Sequence, residues 1–267
     1  MKTFKTLLGF AALALSLTFA NTFSAHADGF NDATWYVSID VEQARSTLIP
    51  RLSARSKNHN DFEFNKLIPQ GVTHITLYGQ SDESSTLTKV MSGDLADFSV
   101  LSFVEGLEEQ AGEDAKLSLL ESSKNNGYVI EHYVISGDEK NKSFYTVKLN
   151  DNTVVTSFNR EEVVNWSNNK YNTSGLHQTG LVTVQVNIAS AMMHMGADID
   201  QGAEPFQSHM FKKIKQVSAS LAEDQDDLLI EVALVTEDDA AAKQVNAVVN
   251  GLVAMNALSD ASSSNKP

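Results

Sequence analysis

Val37-Ser38-Ile39-Asp40-Val41-Glu42-Gln43-Ala44 recurs as Val184-Gln185-Val186-Asn187-Ile188-Ala189-Ser190-Ala191, 147 residues later. A second echo, Val104-Glu105-Gly106-Leu107 against Val249-Asn250-Gly251-Leu252, lies at an offset of 145. An offset that drifts by about two residues over roughly seventy implies one order of elements in both copies, and self-similarity of this kind decides the architecture. Around the first echo, Tyr36, Ser38 and Asp40 alternate with Val37, Ile39 and Val41, the pattern of a strand with one wet face. Asp40, with Gln43 three residues on, then caps a helix running to about Leu52.

Working outward, Ser53 to Asn65 is polar and aperiodic, a loop. Val72 to Tyr78 and Thr86 to Gly93 form a hairpin around Gln80 to Ser85. Asp97 caps a helix whose apolar stripe is Phe98, Leu101, Val104 and Leu107. The second copy repeats the order. A strand covers Val182 to Ile188 and a helix Ile188 to Ala197, and a hairpin joins Val217–Leu221 to Leu228–Val235 across the acidic run Glu223 to Asp227. Thr236, with Asp239 three on, caps a helix over Ala240 to Leu258, whose acidic first turn suits the helix dipole. Between the copies, strands are expected at Leu117–Glu121 and Tyr128–Ile135. A third hairpin joins Phe144–Leu149 to Thr153–Phe158 through Asn150-Asp151-Asn152. Asn159 with Glu162 caps a short helix burying Val163 or Trp166.

The expected fold is α+β: duplicated β-α-β-β-α units with a central β-hairpin–helix, a largely antiparallel sheet and helices packed on one face. The spans are a signal peptide over 1–27, a first repeat over 28–125, a central segment over 126–178, a second repeat over 179–258 and a disordered tail over 259–267. Whether the halves share one sheet is left open.

Lys2 and Lys5, an apolar run from Leu7 to Ala20, and Ala25-His26-Ala27 read as a secretory signal peptide. A run of fourteen residues, apolar apart from Gly9, Ser16 and Thr18, is short for a hydrocarbon core of about 30 Å, so no stable membrane insertion is expected after cleavage. The expected location is the periplasm or the medium. Loss of the two lysines takes the formal charge from −14 to −16, which disfavours nucleic acid and anionic membrane surfaces. The chain has no cysteine, so neither disulfides nor thiolate metal sites enter.

No glycine-rich phosphate loop, nucleophile elbow or paired-histidine protease motif is present. Ser167-Asn168-Asn169-Lys170 matches a serine–lysine spacing, but without the companion motifs of such enzymes it reads as coincidence. Asp198 to Glu204 resembles a calcium loop with its glycine misplaced and His209 where a bidentate glutamate belongs. The one cluster with ligand chemistry is Met193, His194, His209 and Met210, thioethers and imidazoles suited to monovalent copper. Against it, Ile188, Met192, Met195 and Ile199 have the spacing of a helix core stripe. His59, His74, His132 and His177 are isolated. Trp35, Tyr36, Tyr78, Tyr128, Tyr133 and Tyr145 fall on strands, where they either pack or form a binding platform. No cofactor is expected.

Taken together, the aromatic strand Trp35 to Asp40, the Thr76-Leu77-Tyr78-Gly79 turn, the hairpin Tyr145 to Phe158 and the acid-capped helix Glu237 to Leu258 resemble a group of uncharacterised exported bacterial proteins. That resemblance implies a fold pattern and no catalytic residues. The expected function is non-catalytic binding of an envelope or extracellular protein, a peptide or a glycan. The alternatives are an envelope hydrolase with a dispersed active site and a copper- or calcium-binding protein.

Overall fold

The computed structural model describes residues 33–50, 68–80, 84–102, 116–136, 142–171, 180–188, 190–191, 213–224, 227–248 and 250. Its strands are β1 (Trp35–Asp40), β2 (Val72–Gly79), β3 (Thr88–Gly93), β4 (Lys116–Asn125), β5 (Tyr128–Ser136), β6 (Lys142–Asn150), β7 (Thr153–Ser157), β8 (Val182–Asn187), β9 (Ile214–Asp224) and β10 (Asp227–Thr236). All ten form one antiparallel sheet in the order β10-β9-β8-β1-β2-β3-β7-β6-β5-β4. The architecture is α+β, and β1–β3 and β8–β10 lie in the same sheet. Among the described residues, no helix is long and apolar enough to cross a membrane.

β1, an interior strand, pairs with β2 on one edge and β8 on the other. Val37 lies opposite Leu77 and Val184, and Ile39 opposite Ile75 and Val182, so one face of this stretch is apolar. On the other face Tyr36 lies opposite Gln185 and Ser38 opposite Thr183, and all four are buried. Chain direction changes sharply after both strands. The Asp40 carboxylate accepts from the Gln43 amide at 2.8 Å, opening α1 (Val41–Gln43, continuing as a π-helix over Ala44–Leu48). The Asn187 side-chain oxygen accepts from Ser190 N at 3.0 Å in the same manner.

The helices lie on both faces, not on one. Val154 and Val155 are neighbours on β7 and therefore point to opposite sides. Val155 packs with Tyr36, Tyr78, Val90, Ile130 and Val147 beneath Val163 and Trp166 of α2 (Arg160–Ser167). Val154 packs with Val72, Ile75, Met91 and Leu95 around Val41 of α1. The sheet is buried on both sides near its middle, so neither side is free to take every helix.

Other expectations shift in detail. Leu117–Glu121 is part of the longer β4, which turns into β5 at Asn126 and Gly127, with φ of 49° and 85°. Those two left-handed residues make the tight hairpin. The division expected between 28–125 and 126–178 falls inside that turn. Asn159 caps α2 through Glu161 N, with no reciprocal bond from Glu162. The helical residues 239–248 are capped by Asp238, which accepts from Ala241 N at 2.7 Å, while the Thr236 hydroxyl donates to the Asp238 carbonyl. Ser99, not Asp97, accepts from Ser102 N.

Freed from capping, the Glu162 carboxylate fixes α2 to the sheet. It accepts from the Tyr78 hydroxyl at 2.8 Å and from the Tyr171 hydroxyl at 3.0 Å. The Trp166 indole donates to the Tyr78 oxygen at 2.9 Å. Burial, together with the Glu162 charge, raises the Tyr78 pKa far above that of a free phenol, so it remains a hydrogen-bond donor at any physiological pH. Tyr78→Phe removes the acceptor of the Trp166 indole N–H and one of the two hydroxyls that donate to Glu162, and is expected to cost about 1–3 kcal/mol in urea denaturation. An unchanged midpoint contradicts this role.

Candidate functional site

At the end of the sheet where β2 begins and β3 ends, two chain segments cross in contact. A Cβ on Gly71 would land on the Asp94 carbonyl oxygen, and one on Gly93 on the Gly71 carbonyl oxygen. Gly93 also has φ of 149°, so only glycine suits this crossing. Asp94 N donates to Gly71 O at 2.8 Å, locking the two segments together. From the neighbouring β6–β7 turn, Asn152 both donates to and accepts from Gly93, and Asp151 O accepts from Leu95 N at 2.8 Å.

Below the crossing, the Arg45 guanidinium donates to four backbone carbonyls: Gln70 and Val72 through one terminal nitrogen, Ile68 and Pro69 through the other, at 2.8 to 3.0 Å. Burial lowers its pKa, but a guanidinium stays charged. A planar fork can gather four carbonyls from one turn, and so the segment 68–72 is held as a rigid lip.

Between this lip and residues 94–102 runs an open groove of about 570 Å³. Pro69 and Phe98 form half-buried apolar walls, and Leu95 is fully buried beneath them. Asp94 and Asp97 are exposed at the mouth, and neither carboxylate has a hydrogen-bond or ion-pair partner among the described residues. By contrast, the nearby Asp151 is bridged by Lys148 at 3.1 Å. The groove therefore offers apolar contact, two uncompensated charges and a fixed floor. No single sequence motif encodes it. Pro69-Gln70-Gly71 and Gly93-Asp94 are its legible signals, each a turn that only the fold brings against the other.

Among the described residues, those singled out by sequence do not form a second site. Met193, His194, His209 and Met210, the loop Asp198 to Glu204, and the segments 1–27 and 259–267 lie outside the described residues. Among the described residues no three of His, Asp and Glu are grouped to hold a metal. Ser167 is fully buried, donating to Val164 O and accepting from Asn125, while Lys170 bonds Asn165, so the serine–lysine pair is structural. His74 lies 3.8 Å from Asp40, which already caps α1, and His132 lies 3.8 Å from Glu121. Both separations exceed the roughly 2.6–3.2 Å reach of an acid–base pair, and neither pair lines the groove. The aromatics divide between faces: Tyr36, Tyr78 and Tyr145 share one, while Trp35 lies over Gly79 and Tyr133 stacks on Phe144 on the other. They pack and form no platform.

No family model matches the chain, and no curated protein does. Among solved structures it is similar to TP0453 in its crystal form I, with 12% sequence identity over 77% of this chain and 76% of that one and a TM-score of 0.39. A likeness of that degree bears on no functional argument.

Arg45→Lys replaces a four-carbonyl fork with a single point of donation. It is expected to raise amide hydrogen exchange selectively at residues 68–72 and to cost about 1–3 kcal/mol of stability. Exchange at 68–72 unchanged from the parent protein contradicts the clamp.

Proposed function

We propose that the protein acts outside the cytoplasm, in the periplasm or the medium, as a non-catalytic binding protein, and that the groove beside Asp94 and Asp97 receives a basic peptide segment of its partner. The observation carrying this reading is the pairing of two uncompensated carboxylates with the Pro69 and Phe98 walls over a floor that needs no rearrangement. A preformed groove loses little ordering entropy on binding. The overall charge of −14 favours encounter with cationic partners. Export is inferred from Lys2, Lys5, the Leu7–Ala20 run and Ala25-His26-Ala27.

We also infer that the outer portions of the chain are duplicates. In support, the order β10-β9-β8-β1-β2-β3 reads the same from either end in hairpin-plus-strand units. The echoed residues Val37 and Val184 lie opposite each other, as the centre of a pseudo-twofold axis requires. The echoed caps Asp40 and Asn187 accept from the amide three residues on. In this reading β4 to β7 and α2 are an insertion that extends the sheet from β3.

Calorimetric titration with hexapeptides of lysine and phenylalanine tests the binding reading, with a glutamate-for-lysine series and neutral oligosaccharides as comparisons. The lysine peptides are expected to bind, and Asp94→Asn with Asp97→Asn to weaken them at least about tenfold, a loss of roughly 1.4 kcal/mol. Glu223→Gln with Asp227→Asn, equal in charge but at the ends of β9 and β10 that flank their turn, is expected to leave affinity unchanged. No binding, or equal loss in both pairs of variants, overturns the reading.

A further inference from the structure

The two edges of the sheet are built differently. The β4 edge carries Lys116, Glu121 and Lys124 and a register shift between Leu119 and Glu121, devices that discourage strand addition. The β10 edge carries Asp227 at its start and then reads Leu228-Leu229-Ile230-Glu231-Val232-Ala233-Leu234-Val235, with one further charge, no proline and no shift before Val235. Among the described residues β10 has β9 as its sole strand neighbour.

Its exposed side chains lie on both sides of the sheet. Leu229 and Val235 share the face of Ser218 and Gln216, and are 47% and 39% exposed. Leu228 and Ile230 point to the other face, at 39% and 37%. A partner lying on one face would cover one set and leave the other wet. A strand added along the edge covers the rims of both.

We propose that two copies of the chain join along β10, antiparallel, about a twofold axis at Val232. Such an axis preserves faces, so residues paired across it must have the same parity, and the choice of axis fixes every pair. Centred on Val232, Leu229 lies opposite the partner's Val235, Ile230 opposite the partner's Leu234, and Glu231 opposite the partner's Ala233. The two most exposed apolar residues of one face thus cover each other. Centring on Glu231 would set carboxylate against carboxylate, which is repulsive. Centring on Ile230 sets Glu231 against Leu229, and centring on Ala233 leaves Leu228 and Leu229 beyond the partner's strand. Of these four axes, the one at Val232 alone satisfies the charge and the apolar pattern together within Leu228–Val235, with Asp227 and Glu237 meeting only beyond that stretch. The dimer closes, because its outer edges are then the two charged β4 strands.

Sedimentation equilibrium of the chain beginning at Asp28, at tens of micromolar, is expected to give twice the chain mass. Leu229→Lys, at a side chain already exposed in the single copy, is expected to give the chain mass with an unchanged circular dichroism spectrum. Leu120→Lys on the β4 edge, at a residue 63% exposed, is expected to leave the dimer intact. Because the chain lacks cysteine, Val232→Cys places one thiol on each side of the axis. It should oxidise to a covalent dimer several-fold faster than Leu228→Cys, an arm that decides the matter if Leu229→Lys fails to fold. A single-copy mass for the unaltered chain, larger open-ended assemblies, dissociation by Leu120→Lys, or equal oxidation at 228 and 232 each overturns the proposal.

Discussion

The pairing of β1 with β8 is the contact on which the rest of the sheet depends. It joins segments about 147 residues apart in the chain, so its formation closes a long loop and must be repaid by specific contacts at the seam. Five residue pairs supply them. On one face Val37 meets Val184 and Ile39 meets Val182, while on the other Tyr36 meets Gln185 and Ser38 meets Thr183. A slip by one residue would turn the hydroxyls and the amide into the apolar face and the valines into the polar one, and so the seam defines its own register. Without it the sheet divides into β8–β10 and β1–β7.

From that seam the two sides of the molecule develop unequally. Beyond β3 the sheet continues through β7 to β4, and its centre is covered on both faces, by α2 above Val155 and by α1 and Leu95 around Val154. Buried polar groups there are bonded into place: Tyr78 between Glu162 and Trp166, and Thr88 to Ser157 at 2.8 Å. Backbone locking at Arg45, Gly71 and Gly93 belongs to this side too, and produces the groove. The β8–β10 side carries its apolar side chains Leu228, Leu229, Ile230 and Val235 to the edge.

Much of this fold is legible in the sequence because the strands obey simple rules. Alternation locates β1, β2, β5, β6, β7, β8 and β10 to within a few residues, and Asp40, Asn187 and Asn159 are in place as caps. β4 is underread because Ser122, Ser123 and Lys124 look like loop, and an edge strand open to solvent needs no apolar period. The helix faces are misread because Val154 and Val155 are equally apolar, and a strand buried on both sides gives no clue to which face takes a given helix. The groove is illegible for a further reason: its lip and its walls come from opposite ends of the β2–β3 hairpin, and four of the bonds fixing it end on backbone carbonyls, which leave no mark in side-chain identity. Glu162 shows the limit of motif reading, since its position suits a capping box while its carboxylate serves Tyr78 and Tyr171.

The seam itself is open to direct measurement. Backbone bonds from Asp40 N to Leu181 O and from Asn187 N to Thr34 O lie three positions to either side of Val37 and Val184. Alternation along an antiparallel ladder then makes these valines a non-hydrogen-bonded pair, with Cα atoms about 4.5 Å apart. That separation admits a disulfide, and the chain has no other cysteine to confuse the result. Val37→Cys with Val184→Cys is predicted to lose both free thiols within one chain on mild oxidation of the folded protein, while Val37→Cys with Val186→Cys keeps them. Free thiols in the first variant, or equally rapid oxidation in both, would contradict the β1–β8 register and with it the account of the sheet.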